Sequence, residues 1–332
     1  MIAELLLMLL LGSSPAQEGD NPRFEAASRQ FKAGQKAAGL KSFHELCNEE
    51  SAPAELWFDV VRFLLAERSW RECLPFATEA HARMPENVAT HLALGACHLY
   101  LNQPDKAVLL FADSVRRFPK VAAVQYNYAL SLGRNQNLSE AEQHYREALE
   151  LDPENPLFLC TMGQHAVLLL KNAEAEKWLR KAATVDPPHP DARWRLGLVL
   201  CDMGRDDDAR VEFLKALETA RGPSRVEALF HFGVYQFDRG RHELALRRFD
   251  LALKNSPSHR LAHQYRARCL RALGRLDEAR LAVETYRKIQ RDEDQVNEDF
   301  LLGLLAEQLG LEGLSGAGDE DDGKDENESD GA

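Results

Sequence analysis

Along residues 54 to 293 small and large apolar side chains alternate on a 34-residue period. Frames of 54 to 87, 88 to 121, 122 to 155, 156 to 189 and 190 to 223, then 226 to 259 and 260 to 293, bring the pattern into register. A two-residue insertion near Pro223 and Ser224 accounts for the jump. Position 8 of the frame is Val61, Gly95, Ala129, Gly163, Gly197, Gly233 and Ala267, mostly small. Position 20 is Cys73, Ala107, Ala141, Ala175, Ala209, Ala245 and Ala279, small every time. Position 24 is mostly large, with Phe111, Tyr145, Leu179, Phe213, Phe249 and Val283, and position 27 returns to Ala80, Ser114, Ala148, Ala182, Ala216 and Ala252. Two antiparallel helices approach closely only where the facing side chains are small. Positions 8 and 20 therefore mark a helix crossing, and position 24 fills the space beside it. Prolines at 85, 119, 153 and 187 punctuate the end of each unit, because proline inside a helix loses a hydrogen bond and clashes with the preceding turn. Gly204, Gly240 and Gly274, at position 15, stop the first helix where a left-handed residue is favoured. No strand pattern interrupts this periodicity.

The periodic region has less regular flanks. Residues 20 to 53 read as a weaker unit, with Ala27, Gly39 and Phe43 in frame but no proline at position 32. Beyond 293, the amphipathic stretch Glu298 to Leu311 predicts a helix, assigned to 294–312, that caps the exposed end of the stack. The last residues, 313–332, are read as a disordered acidic tail: from Gly316 onward eight Asp and Glu stand against the single Lys324.

The chain of 332 residues carries a formal net charge of -12, of which this tail supplies -7. The remainder is close to balanced and shows no basic stripe in the repeats, which argues against nucleic acid as a partner. At the other end, residues 1–16 combine an apolar run from Leu5 to Leu11 with Ser14-Pro15-Ala16, the form of a short export signal, although Glu4 stands where a basic residue is usual. The expectation is an exported protein, periplasmic or secreted; a cytoplasmic or N-terminally anchored protein is the alternative. No later segment is long and apolar enough to span a membrane.

Candidate chemistry changes the picture little. The six cysteines, at 47, 73, 97, 160, 201 and 269, form no CxxC pair and read as small buried hydrophobes, with Cys47 and Cys73 the pair that successive helices could bring face to face. His259 and His263, four apart, have no third ligand nearby in sequence and read as a surface pair; His91 and His98 receive the same reading. HExxH, GxSxG and glycine-rich phosphate loops are missing from the sequence, so no cofactor or metal is expected and no catalytic residue is assigned. Asn137-Leu138-Ser139 matches a glycosylation acceptor in an inter-helix turn.

With Trp57 at position 4, Leu94-Gly95 and Leu196-Gly197 at positions 7 and 8, and the alanine and proline set above, residues 54 to 293 resemble the tetratricopeptide repeat family. Departures are local: Arg221 and Arg291 replace proline, and Arg266 takes an apolar site. The resemblance implies an all-α, right-handed α-solenoid of antiparallel helix pairs, about seven to eight repeats with a C-terminal capping helix. It also implies a concave groove lined by the first helix of each unit at positions 2, 5, 9, 12 and 13. Position 5 is Phe58, Leu92, Tyr126, Cys160, Trp194, Phe230 and Gln264, an apolar and aromatic row that is expected either to anchor a partner or to pack against neighbouring helices. Leu99, Tyr100, Arg134, Arg195, Phe237, Arg268 and Arg271 complete the candidate groove, a mixture suited to a peptide with apolar and acidic groups. Leu92 and Ala96 stand where some family members place the lysine and asparagine of a carboxylate clamp, which argues against a clamp here. The expected function is a non-enzymatic scaffold or adaptor binding a protein or peptide partner. The alternatives are a regulatory or targeting subunit of an enzyme, and a solenoid whose groove is filled by the acidic tail meeting Arg195, Arg268 and Arg271.

Overall fold

The computed structural model describes residues 21–308, which form sixteen helices and no strand. The export signal and the acidic tail lie outside these residues, as does the end of the expected cap. The helices pair by frame: α1 (Pro22–Lys32) with α2 (Lys36–Cys47), α3 (Ala54–Ala66) with α4 (Trp70–Arg83), α5 (Val88–Tyr100) with α6 (Pro104–Arg117), and α7 (Ala122–Arg134) with α8 (Leu138–Leu151). They continue as α9 (Pro156–Leu168) with α10 (Asn172–Ala182), α11 (Ala192–Asp202) with α12 (Asp206–Thr219), α13 (Gly222–Asp238) with α14 (His242–Asn255), and α15 (Arg260–Ala272) with α16 (Leu276–Gln308). The last helix runs unbroken through the position where a separate cap was expected.

The chain divides into two compact units between Ser224 and Arg225. In the first, every helix packs on the next and the first helices also touch one another, α5 on α7 and α9 on α11. In the second, α14, α15 and α16 pack in succession and Phe230 of α13 lies against Phe249 of α14. The two-residue insertion is absorbed by lengthening a helix: α13 has 17 residues where α5, α7 and α9 have 13.

The helix crossing is tighter than small residues alone require. A Cβ placed on Gly95 would stand 2.1 Å from Phe111, on Gly163 2.6 Å from Leu179, on Gly197 2.9 Å from Phe213 and on Gly233 2.6 Å from Phe249. Each glycine at position 8 thus faces the position-24 side chain sixteen residues later, and those side chains are wholly buried. The bulk is split differently in other frames: Val61 goes with Ala77 and Ala267 with Val283, while Ala129 keeps a large partner in Tyr145.

Position 15 is left-handed in every frame, including that of residues 20 to 53: Gly34, Arg68, Asn102, Gln136, Leu170, Gly204, Gly240 and Gly274 have φ between 56° and 87°. A single left-handed residue ends one helix and turns the chain into the next. Four of these are not glycine, and Leu170, 88% exposed, has neither a short polar side chain nor packing to offset the crowding of its Cβ.

The histidine pair on α5 is not a surface feature. His91 is fully buried, with Nδ1 2.8 Å from Ser114 Oγ and Nε2 donating to the Pro85 carbonyl at 2.7 Å. Only His98 is partly exposed, beside Gln103. The correction follows from periodicity: position 4 of the frame faces the second helix of its own unit, where Ser114 supplies a polar partner.

Two outcomes test this packing. Gly95→Val is expected to cost about 2–4 kcal/mol through overpacking and Phe111→Ala about 3–5 kcal/mol through the cavity. The double variant recreates the Val61 and Ala77 combination, so a double-mutant cycle from urea unfolding should give a favourable coupling of at least about 1 kcal/mol. Leu170→Gly should stabilise the chain by up to about 1 kcal/mol by relieving the left-handed leucine, read from the same unfolding curves.

Candidate functional site

On the first helices, the row read as position 5 is consumed by packing. Phe58, Leu92, Tyr126, Trp194 and Phe230 are all buried, with Tyr126 2% and Trp194 4% exposed, and Cys160 is buried among them. Tyr126 lies parallel to Phe158 of the next first helix at 4.7 Å, its Oη 3.1 Å from Thr161 Oγ1. Phe230 is enclosed by Phe249, His259 and Tyr265. These residues are therefore not exposed anchors. Close approach of neighbouring first helices carries position 5 into the seam between them, and only Gln264 of the row is exposed.

What remains accessible is a set of arginines raised on the packed rings. In the first unit, the Arg195 guanidinium sits 4.3 Å from the Trp194 ring, with Nη2 3.6 Å from Asp191 Oδ2. Gln164, with its amide oxygen turned inward, accepts from Arg195 Nη1 at 2.7 Å. Arg134 is exposed and donates from Nη1 to the Leu99 carbonyl at 2.8 Å, and half-buried Tyr100 stacks on Trp70 at 3.8 Å. In the second unit, Arg268 is exposed and lies 4.6 Å from the Phe237 ring and 4.7 Å from Tyr265; Arg271 is exposed one turn further on. A guanidinium held over a ring keeps its edge donors free for a carboxylate or carbonyl while its face is already desolvated.

Sequence reasoning missed Gln164, Asp191, Trp70 and Tyr265. Asp191 and Gln164 occupy groove positions 2 and 9, and that register is the signal that could have found them. The Asp191 carboxylate is fully buried, and among the described residues neither oxygen receives a hydrogen bond. Its backbone N–H donates to His189 Nδ1 at 3.1 Å. Burial holds the His189 imidazole well below the usual histidine range, with Asp191 acting upward and Arg195 downward. Burial also lowers His81, His98 and His165.

All six cysteines are free, and burial pushes the thiols of Cys47, Cys160 and Cys269 up to about 12, which leaves them protonated packing groups at neutral pH. Among the described residues no three His, Cys, Asp or Glu side chains converge as metal ligands. His259 Nδ1 caps α15 by accepting from the Ala262 N–H, and His263 Nε2 donates to the Pro257 carbonyl, so the two rings serve the local backbone. No described helix is long and apolar enough to cross a membrane.

Helix pairs of this length, crossing at a small residue and turning at a left-handed position 15, define a tandem helical repeat protein. The chain belongs to the tetratricopeptide repeat family, whose profile matches residues 92–156, 160–226 and 230–294, more than half of its length. Among curated relatives, it is 23% identical over 207 residues to the human protein O-mannosyl-transferase TMTC3, covering 58% of this chain and 22% of that one. It is 27% identical over 177 residues to anaphase-promoting complex subunit 3 of Schizosaccharomyces pombe, covering 53% and 26%. The chain thus spans about a quarter of the length of these relatives. Among solved structures, a tetratricopeptide repeat protein from Parabacteroides merdae superposes with a TM-score of 0.59 at 15% identity, over 75% of this chain and 100% of that one. The Cut9–Hcn1 assembly of the APC/C superposes with a TM-score of 0.53 at 15% identity, over 93% and 61%. These structures share the fold.

The lowered histidines make acid stability a test of the burial described here. An unfolded chain protonates histidine near the ordinary value of about 6.5, whereas the folded first unit resists protonation until lower pH, so the unfolded state binds more protons in that window. The stability contributed by neutral His81, His98, His165 and His189 is present above pH ~6.5 and lost as the pH falls below it. Urea midpoints followed by circular dichroism should fall between pH 7 and pH 5; an unchanged midpoint contradicts the burial of these rings.

Proposed function

We propose that the chain is a non-enzymatic adaptor that binds an extended peptide or helix of a protein partner along the faces of its first helices. The observation that carries this reading is the exposed Arg268, poised over Phe237 and Tyr265. In the first unit Arg195 likewise lies over Trp194, already partnered by Gln164 and Asp191, and Arg134 and half-buried Tyr100 are further accessible groups on earlier first helices. A partner segment that fits carries carboxylates or carbonyls toward the guanidinium edges and small apolar groups against the half-buried rings. The rings give shape and rigidity, and the arginines give the contact, so the binding energy is concentrated in few side chains.

The relatives support the same class of activity. One is named as a subunit of the anaphase-promoting complex, and a structural neighbour is solved as an assembly with Hcn1. A regulatory or targeting subunit of a larger complex is this adaptor role in another setting. The N-terminal sequence pattern favours a site of action outside the cytoplasm, which N-terminal sequencing of the mature chain tests.

Affinity purification from the native source should recover a partner with the parent chain and lose it with Arg195→Glu and Arg268→Glu, by at least about tenfold in bound fraction. Arg268 is exposed, so its reversal should leave helicity and the unfolding midpoint the same, whereas Arg195→Glu also strips the partner from the buried Asp191 carboxylate and should lower the midpoint. Trp194→Ala is the contrasting variant: it should lower stability by about 3–5 kcal/mol, because that ring is core. Partner recovery that survives both charge reversals sinks the proposal.

A further inference from the structure

The division of the chain at Arg225 exposes a charge pattern that the whole-chain balance conceals. Residues 225 to 292 carry fifteen Lys and Arg against eight Asp and Glu, a net charge of +7. Residues 293 to 332 carry fourteen Asp and Glu against Lys324 alone, a net charge of -13. The repeats of the second unit are therefore basic, contrary to the sequence reading, and an acidic segment follows them directly.

The basic repeats have a hollow of about 380 Å³ between the end of α15 and the start of α16. Arg271, Arg280 and Arg287 stand around it, Leu276, Ala279 and Val283 form its floor, and Glu284 shares the rim. Arg280 reaches Asp277 at 3.4 Å with both side chains largely exposed, a contact of little worth in water. Among the described residues Arg271 and Arg287 enter no ion pair, so two of the three guanidinium groups keep their donors.

We propose that this hollow is the docking site of the chain's own acidic segment, Asp319 to Asp330. Charge complementarity selects the occupant: eight carboxylates in twelve residues meet three arginines on a shallow apolar floor. The tether permits it. Along α16, at about 1.5 Å per residue, Gln308 lies roughly 32 Å from Arg287 and roughly 42 Å from Arg280. Asp319 is eleven residues past Gln308 and Asp330 twenty-two, which gives reaches of up to roughly 36 Å and 70 Å. Tethering also holds the segment at an effective concentration that a free acidic peptide must exceed to displace it. The hollow is then closed to acidic ligands of low affinity and opens to strong ones.

The test uses a fluorescent peptide of residues 316 to 332, the full chain and a chain ending at Ser315. At about 50 mM salt, anisotropy should show the peptide binding the shortened chain at least about tenfold more tightly than the full chain, with most of that affinity lost at 500 mM salt. Arg271→Glu, Arg280→Glu and Arg287→Glu together in the shortened chain should abolish binding, with the circular dichroism spectrum unchanged because all three side chains are exposed. Equal binding to the full and shortened chains, no binding to the shortened chain at low salt, or binding that survives the triple charge reversal overturns the proposal. So does a full chain that dimerises in light scattering while the shortened one does not, since a second copy would then be the occupant.

Discussion

The structure depends on one contact: the position-8 residue of a first helix against the position-24 residue of the second helix in the same unit. Four glycines there leave space that Phe111, Leu179, Phe213 and Phe249 occupy completely. Because a glycine in a helix interior gives up about 0.5–1 kcal/mol relative to alanine, it persists only where the partner ring needs the room. The contact sets how closely the two helices of a unit approach, and the turn at position 15 joins them. Val61 with Ala77 fills the same crossing with the bulk on the first helix instead of the second.

The same close packing decides what the inner face can offer. First helices that touch one another leave no room for an exposed aromatic row, and Tyr126, Trp194 and Phe230 become the mortar between units. Their rings still shape the surface, because Arg195 and Arg268 lie across them or their neighbours. Aromatic character is thus converted into positioned positive charge. On the proposed reading, such a surface would distinguish partners by the placement of their acceptors more than by apolar bulk.

Charge is distributed unevenly within the second compact unit. Its repeats, residues 225 to 292, carry +7 and the segment 293 to 332 that completes the unit carries -13, while the first unit carries -6. A whole-chain charge cannot show this, since the two excesses cancel in part. The break between the units coincides with the two-residue insertion, where α13 takes an extra turn and the 34-residue clock restarts.

The helical repeat, the crossing positions and the left-handed turn were all legible in the sequence, because each rests on contacts within about 20 residues and recurs in seven frames. Gly204, Gly240 and Gly274 could be assigned from the frame alone; Leu170 and Arg68, with the same backbone, could not, because the fold imposes that conformation on residues that do not favour it. The composition of the inner face was also readable, but its exposure was not. Whether Trp194 is an anchor or a core residue depends on the side chains one unit away, and so does the burial of Asp191 beside Arg195. Sequence by itself determined the unit; only tertiary structure decided which face of the unit meets solvent, because burial is set by neighbours that the periodicity specifies in type but not in distance.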